Sequence, residues 1–210
     1  AGLAAAGMIP VASTFAFLMA LRAGDSVRSL VSYNNLNVKL AGGYCGLSDF
    51  ADGASHQSLE DVAVFRALPN FVVLTPSDRS TTYACVHAMI NHKGPVYLRL
   101  SRENVGEHHA GLDHITIGKA LTIREGHNLT IAVSGTLLEM VLQAVPYMLA
   151  DGISPEIIEY TTIKPFDKDT LIASARKTGA VITVEEHSII GGLGSAAAEA
   201  LIENEPVCMR

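Results

Sequence analysis

Short, continuous apolar runs rich in β-branched residues alternate along this chain with segments whose apolar positions recur at helical spacing. The runs predict strands at 10–13, 38–41, 71–74, 96–100, 121–124, 129–133, 156–160 and 181–184, with helices between them. Such runs, apolar throughout rather than alternating, are the pattern of parallel α/β sheets whose strands are buried on both faces. Leu59, Val62, Ala63 and Arg66 define one of the helices. It is expected to open at Ser58, with Glu60 and Asp61 forming an acidic first turn that suits the helix dipole. Residues 1–7 read as an Ala-rich helix already under way without a Ser, Thr, Asp or Asn cap, which predicts a natural chain that starts earlier. Residues 206–209 read as the opening of a further buried strand, which predicts a continuation beyond Arg210.

The periodicity fails in the stretch ENVGEHHAGLDH, residues 103–114, which is polar, glycine-containing and rich in histidine. A domain boundary is expected there, dividing the chain into residues 1–108 and 116–210. His108 and His109 would then lie in a solvated linker. The second unit begins with two β runs around Gly126, His127 and Asn128, the signature of a hairpin or tight turn, and continues as β-α-β-α-β-α. Pro146 should kink its first helix or delay its start. No internal repeat or low-complexity tract is present.

Composition narrows the function classes. With 210 residues and 49% hydrophobic content, the chain can bury a sizeable core, and its net charge of -6 without a basic patch argues against a nucleic-acid partner. The most apolar opening run, residues 1–12, contains Gly7 and Pro10 and is too short to span a bilayer, so no membrane role is expected. It has no charged n-region, so it does not read as a signal peptide. Cys45, Cys85 and Cys208 are few, odd in number and far apart, which suits free thiols in a reducing, cytoplasmic compartment. No CxxC or HExxH occurs, so no metal site is expected on this chain.

The densest chemical constellation is Asp52-Gly53-Ala54-Ser55-His56-Gln57, between a strand and the helix expected at Ser58. Glycine allows a sharp turn or close ligand approach, and Asp with His presents an anion and a switchable donor that can read hydroxyl groups. The bland reading is an ordinary turn in which Asp52 and Ser55 satisfy backbone groups and His56 caps. Gly191-Gly192-Leu193-Gly194-Ser195 before an Ala-rich helix has the look of a phosphate cradle. Glu185, Glu186 and His187 are catalytic residue types but follow a strand of the second unit, where a structural role is expected.

Four separated blocks carry a family resemblance: STFAF, DGASHQSLEDVAVFRALPNFVVLTPSD, LRLSREN, and TIKPFDKDTLIASARKTGAVITVEEHSIIGGLGSA. In this order they resemble the transketolases, over nearly the whole chain. The resemblance implies two α/β domains, a doubly wound pyrimidine-binding sheet of the thiamine-diphosphate type, incomplete at its front, followed by a transketolase C-terminal domain. It implies that Asp52 bonds a substrate hydroxyl beside the carbonyl, that His56 serves the reacting carbon, and that Arg102 binds the far phosphate of a sugar phosphate. Phe15 matches the aromatic residue that stacks on the cofactor's aminopyrimidine, and the glycine-rich 191–195 loop falls away from the chemistry. The implied activity is transfer of a two-carbon ketol unit from a ketose phosphate to an aldose phosphate, dependent on thiamine diphosphate and Mg2+ or another divalent cation.

The family's cofactor-activating glutamate and its metal and diphosphate site match nothing in these 210 residues. The resemblance therefore implies an N-terminal transketolase subunit or domain as partner, in a homodimer or heterotetramer, with this chain inactive alone. Tyr44 stands where many transketolases carry a phosphate-contacting histidine and would contact substrate in its place. Phe50-Ala51-Asp52 replaces the usual GED, and Gly24 stands where an aromatic often occurs. These departures put the standard sugar phosphate in question. Alternatives are a deoxyxylulose-phosphate-synthase-like or 2-oxo-acid dehydrogenase β-like subunit, against which His56-Gln57-Ser58 and LSREN argue, or a non-catalytic assembly subunit, against which the joint presence of Asp52, His56 and Arg102 argues.

Overall fold

The computed structural model describes residues 1–210, which fold as two five-stranded sheets with helices packed against them. A helical turn α1 (Gly2–Ala5) precedes β1 (Val11–Phe15) and a helical stretch α2, which is π-helical over Leu18–Arg22 and Val27–Ser32 and α-helical over Gly24–Ser26. Then come β2 (Lys39–Gly43), α3 (Asp61–Ala67), β3 (Val72–Leu74), α4 (Arg79–Asn91) and β4 (Val96–Arg99). The second half contributes β5 (Leu121–Arg124), β6 (Leu129–Val133), α5 (Leu138–Ala150), β7 (Pro155–Glu159), β8 (Thr162–Lys164), α6 (Lys168–Thr178), β9 (Ala180–Val184), α7 (Leu193–Asn204) and β10 (Cys208–Met209).

The first sheet has the order β1-β2-β4-β3-β8, parallel except for β8, and the second β10-β9-β6-β7-β5, parallel except for β5. All eight expected strands form, within one or two residues at each end. Central β3 and β4 are buried along their whole length, as their unbroken apolar runs require. β1 departs from that expectation. It is a sheet edge, and Val11, Ala12 and Ser13 are exposed.

Several expectations fail for identifiable reasons. The two β runs around Gly126–Asn128 form no hairpin, because β5 crosses to the far side of β7 and pairs with it antiparallel. A β-carbon at Gly126 would overlap the backbone of Pro155, so only glycine lets the connection pass that strand so closely. The helix expected at Ser58 begins at Asp61, since Ser58 is buried in an antiparallel bridge with Gly46. α5 already begins at Leu138, eight residues before Pro146, so the proline does not delay its start, and a 3-10 turn over Gly135–Leu137 precedes it. The proline lies on the exposed face, where water can take the carbonyl its ring leaves unpaired. β10 forms but is not buried, Cys208 being exposed.

β8 is a strand that the hydrophobic pattern does not predict. Three residues before a proline carry too little periodicity to register, yet this strand leaves the second half to complete the first sheet. Around it, Thr75 donates from its backbone amide to Thr161 at 2.9 Å and from its hydroxyl to the Tyr160 carbonyl at 2.8 Å. The largest hydrophobic cluster is accordingly continuous between the halves, joining Phe65, Phe71 and Tyr97 to Tyr160, Ile163 and Leu193.

Buried charge reinforces this junction. Arg99 binds Asp61 at 2.8 Å and donates to the carbonyls of Glu186 at 2.8 Å and Ser58 at 3.3 Å, while Tyr97 donates to the same carboxylate at 2.7 Å. His109, expected in a solvated linker, instead has a side chain only 9% exposed. Its Nδ1 faces Asp78 of the first half at 2.8 Å and its Nε2 faces Glu159 of the second at 2.7 Å. Nothing in the polar linker itself signals this, because both carboxylates are distant in the chain. They hold the imidazole protonated, raising its pKa from 6.5 to about 9 against the opposing effect of burial.

Candidate functional site

In open sheets of parallel strands, ligands gather beyond the carboxyl ends of the strands. Neighbouring β1, β2 and β4 end here in Phe15, in Gly43 followed by Tyr44, and in Arg99 followed three residues later by Arg102. A 3-10 turn at Gly53–Ser55 brings His56 over the same edge. The rings of Phe15 and Tyr44 are 4.9 Å apart between centroids, those of Phe15 and His56 5.2 Å, and the Arg102 guanidinium carbon lies 4.9 Å from the Tyr44 ring. His56, Phe15, Tyr44 and Arg102 thus form one continuous line of contacts.

The structure does not bring Asp52 into that line. Its side chain is exposed and makes no capping hydrogen bond to the turn it precedes, so the bland reading fails for this residue as well. His56 Nδ1 lies 3.0 Å from the Ser55 hydroxyl. This contact fixes the ring while leaving Nε2 free of protein partners.

Two residues of the site escape a reading of the sequence. Phe17 packs its ring 5.3 Å from His56. The signal that could have found it is a second aromatic just beyond Phe15, at the point where β1 gives way to helix. Asp49 is fully buried and accepts from Arg102 Nη1 at 2.8 Å. Arg102 does not pair with its neighbour Glu103, which accepts from the Thr136 hydroxyl at 3.2 Å.

The loop carrying these residues is held from the second half of the chain. Glu186 accepts from the Leu47 amide at 2.7 Å, and a β-carbon on Gly46, where φ is +64°, would overlap its carboxylate. Burial raises the Glu186 pKa above the usual carboxylate value. Tyr44 itself sits at φ +59°, a strained conformation for a bulky residue. Neighbouring Cys45 is buried with its thiol pushed up to about 12, which removes it as a nucleophile.

Glu185 accepts from the amides of Leu193 at 2.6 Å and Gly194 at 2.8 Å, filling the glycine-rich helix start. The phosphate cradle suggested by 191–195 is occupied by the protein's own carboxylate. His187 Nε2 accepts from the Ala63 amide at 3.4 Å, so all three residues 185–187 tie helix starts or the site loop to the second half. No group of three His, Cys, Asp or Glu side chains is placed to hold a metal ion, and no helix is long and apolar enough to cross a membrane.

Residues 1–107 match the transketolase pyrimidine-binding domain and residues 118–207 the transketolase C-terminal domain. The chain belongs to the transketolase family. It is 41% identical, over its whole length, to 65% of the 6-deoxy-6-sulfo-D-fructose transketolase subunit SqwH of Clostridium sp. (strain MSTE9). It is 35% identical, again over its whole length, to 67% of an apulose-4-phosphate transketolase subunit of Phocaeicola vulgatus. Among solved structures, a split-gene transketolase described as an inactive beta4 tetramer superposes with TM-score 0.92 at 41% identity, covering 99% of this chain and 67% of that one. The chain thus spans about two thirds of the length of these relatives and corresponds to a C-terminal transketolase section.

Proposed function

We propose that this chain is the pyrimidine-facing, sugar-reading section of a thiamine-diphosphate-dependent enzyme that moves a two-carbon ketol unit between sugars. The observation that carries this reading is the line His56-Phe15-Tyr44-Arg102 along the ends of three neighbouring parallel strands. Thiamine diphosphate, when bound, supplies the electron sink that allows a bond beside a ketose carbonyl to break. The residues present fit its pyrimidine end: half-buried Phe15, with Phe17 beside it, offers an aromatic face to a flat heteroaromatic ring. They do not fit the divalent cation or the diphosphate, which a partner chain or an N-terminal segment would hold.

His56 is placed to exchange a proton with the substrate through its free Nε2. Arg102 reads the charged far end, with Tyr44 beneath it, and Asp52 is free to meet a substrate hydroxyl as the flexible member of the set. The domain division 1–108 and 116–210 then separates a pyrimidine-binding unit from one that buttresses the site loop through Glu186. Assembly is proposed as a homodimer or heterotetramer with an N-terminal transketolase subunit. By their names, the two relatives above act on sugars whose far ends differ, one sulfonated and one phosphorylated, so the terminal group is set by local residues.

The test is to mix the purified chain with a partner carrying the diphosphate and metal site, add cofactor and magnesium, and measure two-carbon transfer between sugars. Transfer is expected only in the mixture. His56→Ala should lower kcat by about 10²–10⁴-fold, the usual contribution of general acid–base catalysis. Assembly without any transfer over a panel of ketoses would favour a non-catalytic subunit.

A further inference from the structure

Beside Arg102 opens a cleft of about 490 Å³ between the loop at Leu47 and Ser48, the linker at Asn104, and Thr136 and Gln143 of the second half. Its ionic lining is unusual for a site that takes a phosphate. Arg102 is the only cation on its wall, against Glu103 and Glu139. Glu139 accepts from the Gly106 amide at 2.8 Å and has His108 at 3.7 Å as its nearest basic group. Behind Arg102 stands Asp49, fully buried, with one oxygen on Nη1 and the other without any partner.

A carboxylate shut away from water cannot disperse its charge into solvent, so its field falls on the guanidinium it touches. Arg102 is thereby aimed on one edge by Asp49, supported on one face by Tyr44, and left with Nε and Nη2 open. These remaining donors can grip one oxyanion edge, but the positive charge behind them is already largely offset. On the side of the cleft that these residues line, a dianion would meet two further carboxylates and no second cation.

Resting on the reading of Arg102 as the substrate's terminal-group contact, we propose that Asp49 is a specificity-determining positioning residue. It makes the cleft select a sugar whose far end carries a single negative charge, such as a sulfonate or carboxylate, over one ending in a phosphate dianion.

The experiment uses the chain with its partner subunit and titration calorimetry of matched ketoses ending in a sulfonate, a carboxylate or a phosphate. At pH 7.5 the singly charged sugars should bind at least about 10-fold tighter than the phosphate. Lowering the pH to 5.5, where the phosphate is mostly a monoanion, should close most of that gap. The sulfonate, whose charge does not change over this range, controls for any effect of pH on the protein itself. Asp49→Asn should shift the ratio toward phosphate by about 10-fold, and Asp49→Glu should keep the wild-type order. Equal affinity for phosphate and sulfonate at pH 7.5, or a ratio unmoved by pH, overturns the proposal without needing any variant to fold. Arg102→Ala separates the two levels: if it leaves binding of all three sugars unchanged, the reading of Arg102 itself fails, whatever Asp49 does.

Discussion

Arg99 and Arg102 lie three residues apart on the same chain segment, and each binds a fully buried aspartate at 2.8 Å. Their surroundings differ in what remains unsatisfied. Arg99 is 8% exposed and commits Nε and Nη2 to Asp61 and two carbonyls, one of them on the second half of the chain. Arg102 is 41% exposed, spends one donor on Asp49, and rests on an aromatic face beside an open cleft. A buried arginine with three hydrogen bonds committed to the junction is architecture; a half-exposed one with a single bond committed is available for a ligand. Residue type and even partner type do not distinguish the two, and burial with the number of donors already committed does.

The largest effect should fall on the buried side. Arg99→Met leaves Asp61 buried with only Tyr97 as a donor, and breaking a buried pair this way costs about 3–5 kcal/mol. Urea denaturation should show that loss, and the double variant with Asp61→Leu should recover much of it. A loss for Arg99→Met no greater than that for Arg102→Ala would undo the comparison.

His109 ranks next, as a second buried cation at the junction. Its pKa is raised from 6.5 to about 9, so its stabilisation is complete below pH 6.5 and disappears as pH rises through about 9. A shift of that size corresponds to roughly 3–4 kcal/mol in full, of which about 2–3 kcal/mol is present near neutral pH. His109→Gln should remove this amount near neutral pH and flatten the fall in stability between pH 6.5 and 9. The comparison with the variant is necessary because Lys39, whose pKa burial lowers to about 8, contributes the opposite slope at overlapping pH. Equal pH profiles for the two proteins would show that His109 carries no charge in the junction.

The contrast between the arginines also explains what is legible in the sequence. Strands that are continuous apolar runs announce themselves, whereas Phe15 and Arg102, at the ends of two of them, are picked out only by the family resemblance. What stays hidden depends on pairing across distance. β8 is three residues long and has meaning only beside β3. His109 reads as linker until Asp78 and Glu159 close around it. Asp49 looks like one more polar loop residue until burial turns it into a partner for Arg102. Asp52 shows the converse, since its place in a family motif is plain from sequence while the folded chain alone gives it no contact with the other site residues.

Arg102→Ala should have a smaller effect on folding than either change above, about 1–2 kcal/mol, because the cleft lets water reach the carboxylate it exposes. Its main consequence belongs to binding. Loss of a charged hydrogen-bonding contact should weaken the sugar by about 10–100-fold in KM. If thermal denaturation moves further than for His109→Gln while KM stays fixed, Arg102 is architecture after all.

The smallest expected effect comes from a carboxylate whose two oxygens each accept from a backbone amide. Glu185 occupies the start of α7 through the Leu193 and Gly194 amides. Glu185→Gln keeps an oxygen there but removes the charge that favours a helix N-terminus, a loss of about 0.5–1 kcal/mol. Because the site is already filled by the protein, wild type should show no saturable phosphate binding at 191–195 by chemical-shift titration, and sugar KM should be the same in the variant. Phosphate-dependent shifts confined to Gly192 through Ser195 in the wild-type chain would mean that Glu185 yields to a ligand, and that a satisfied group is not always a structural one.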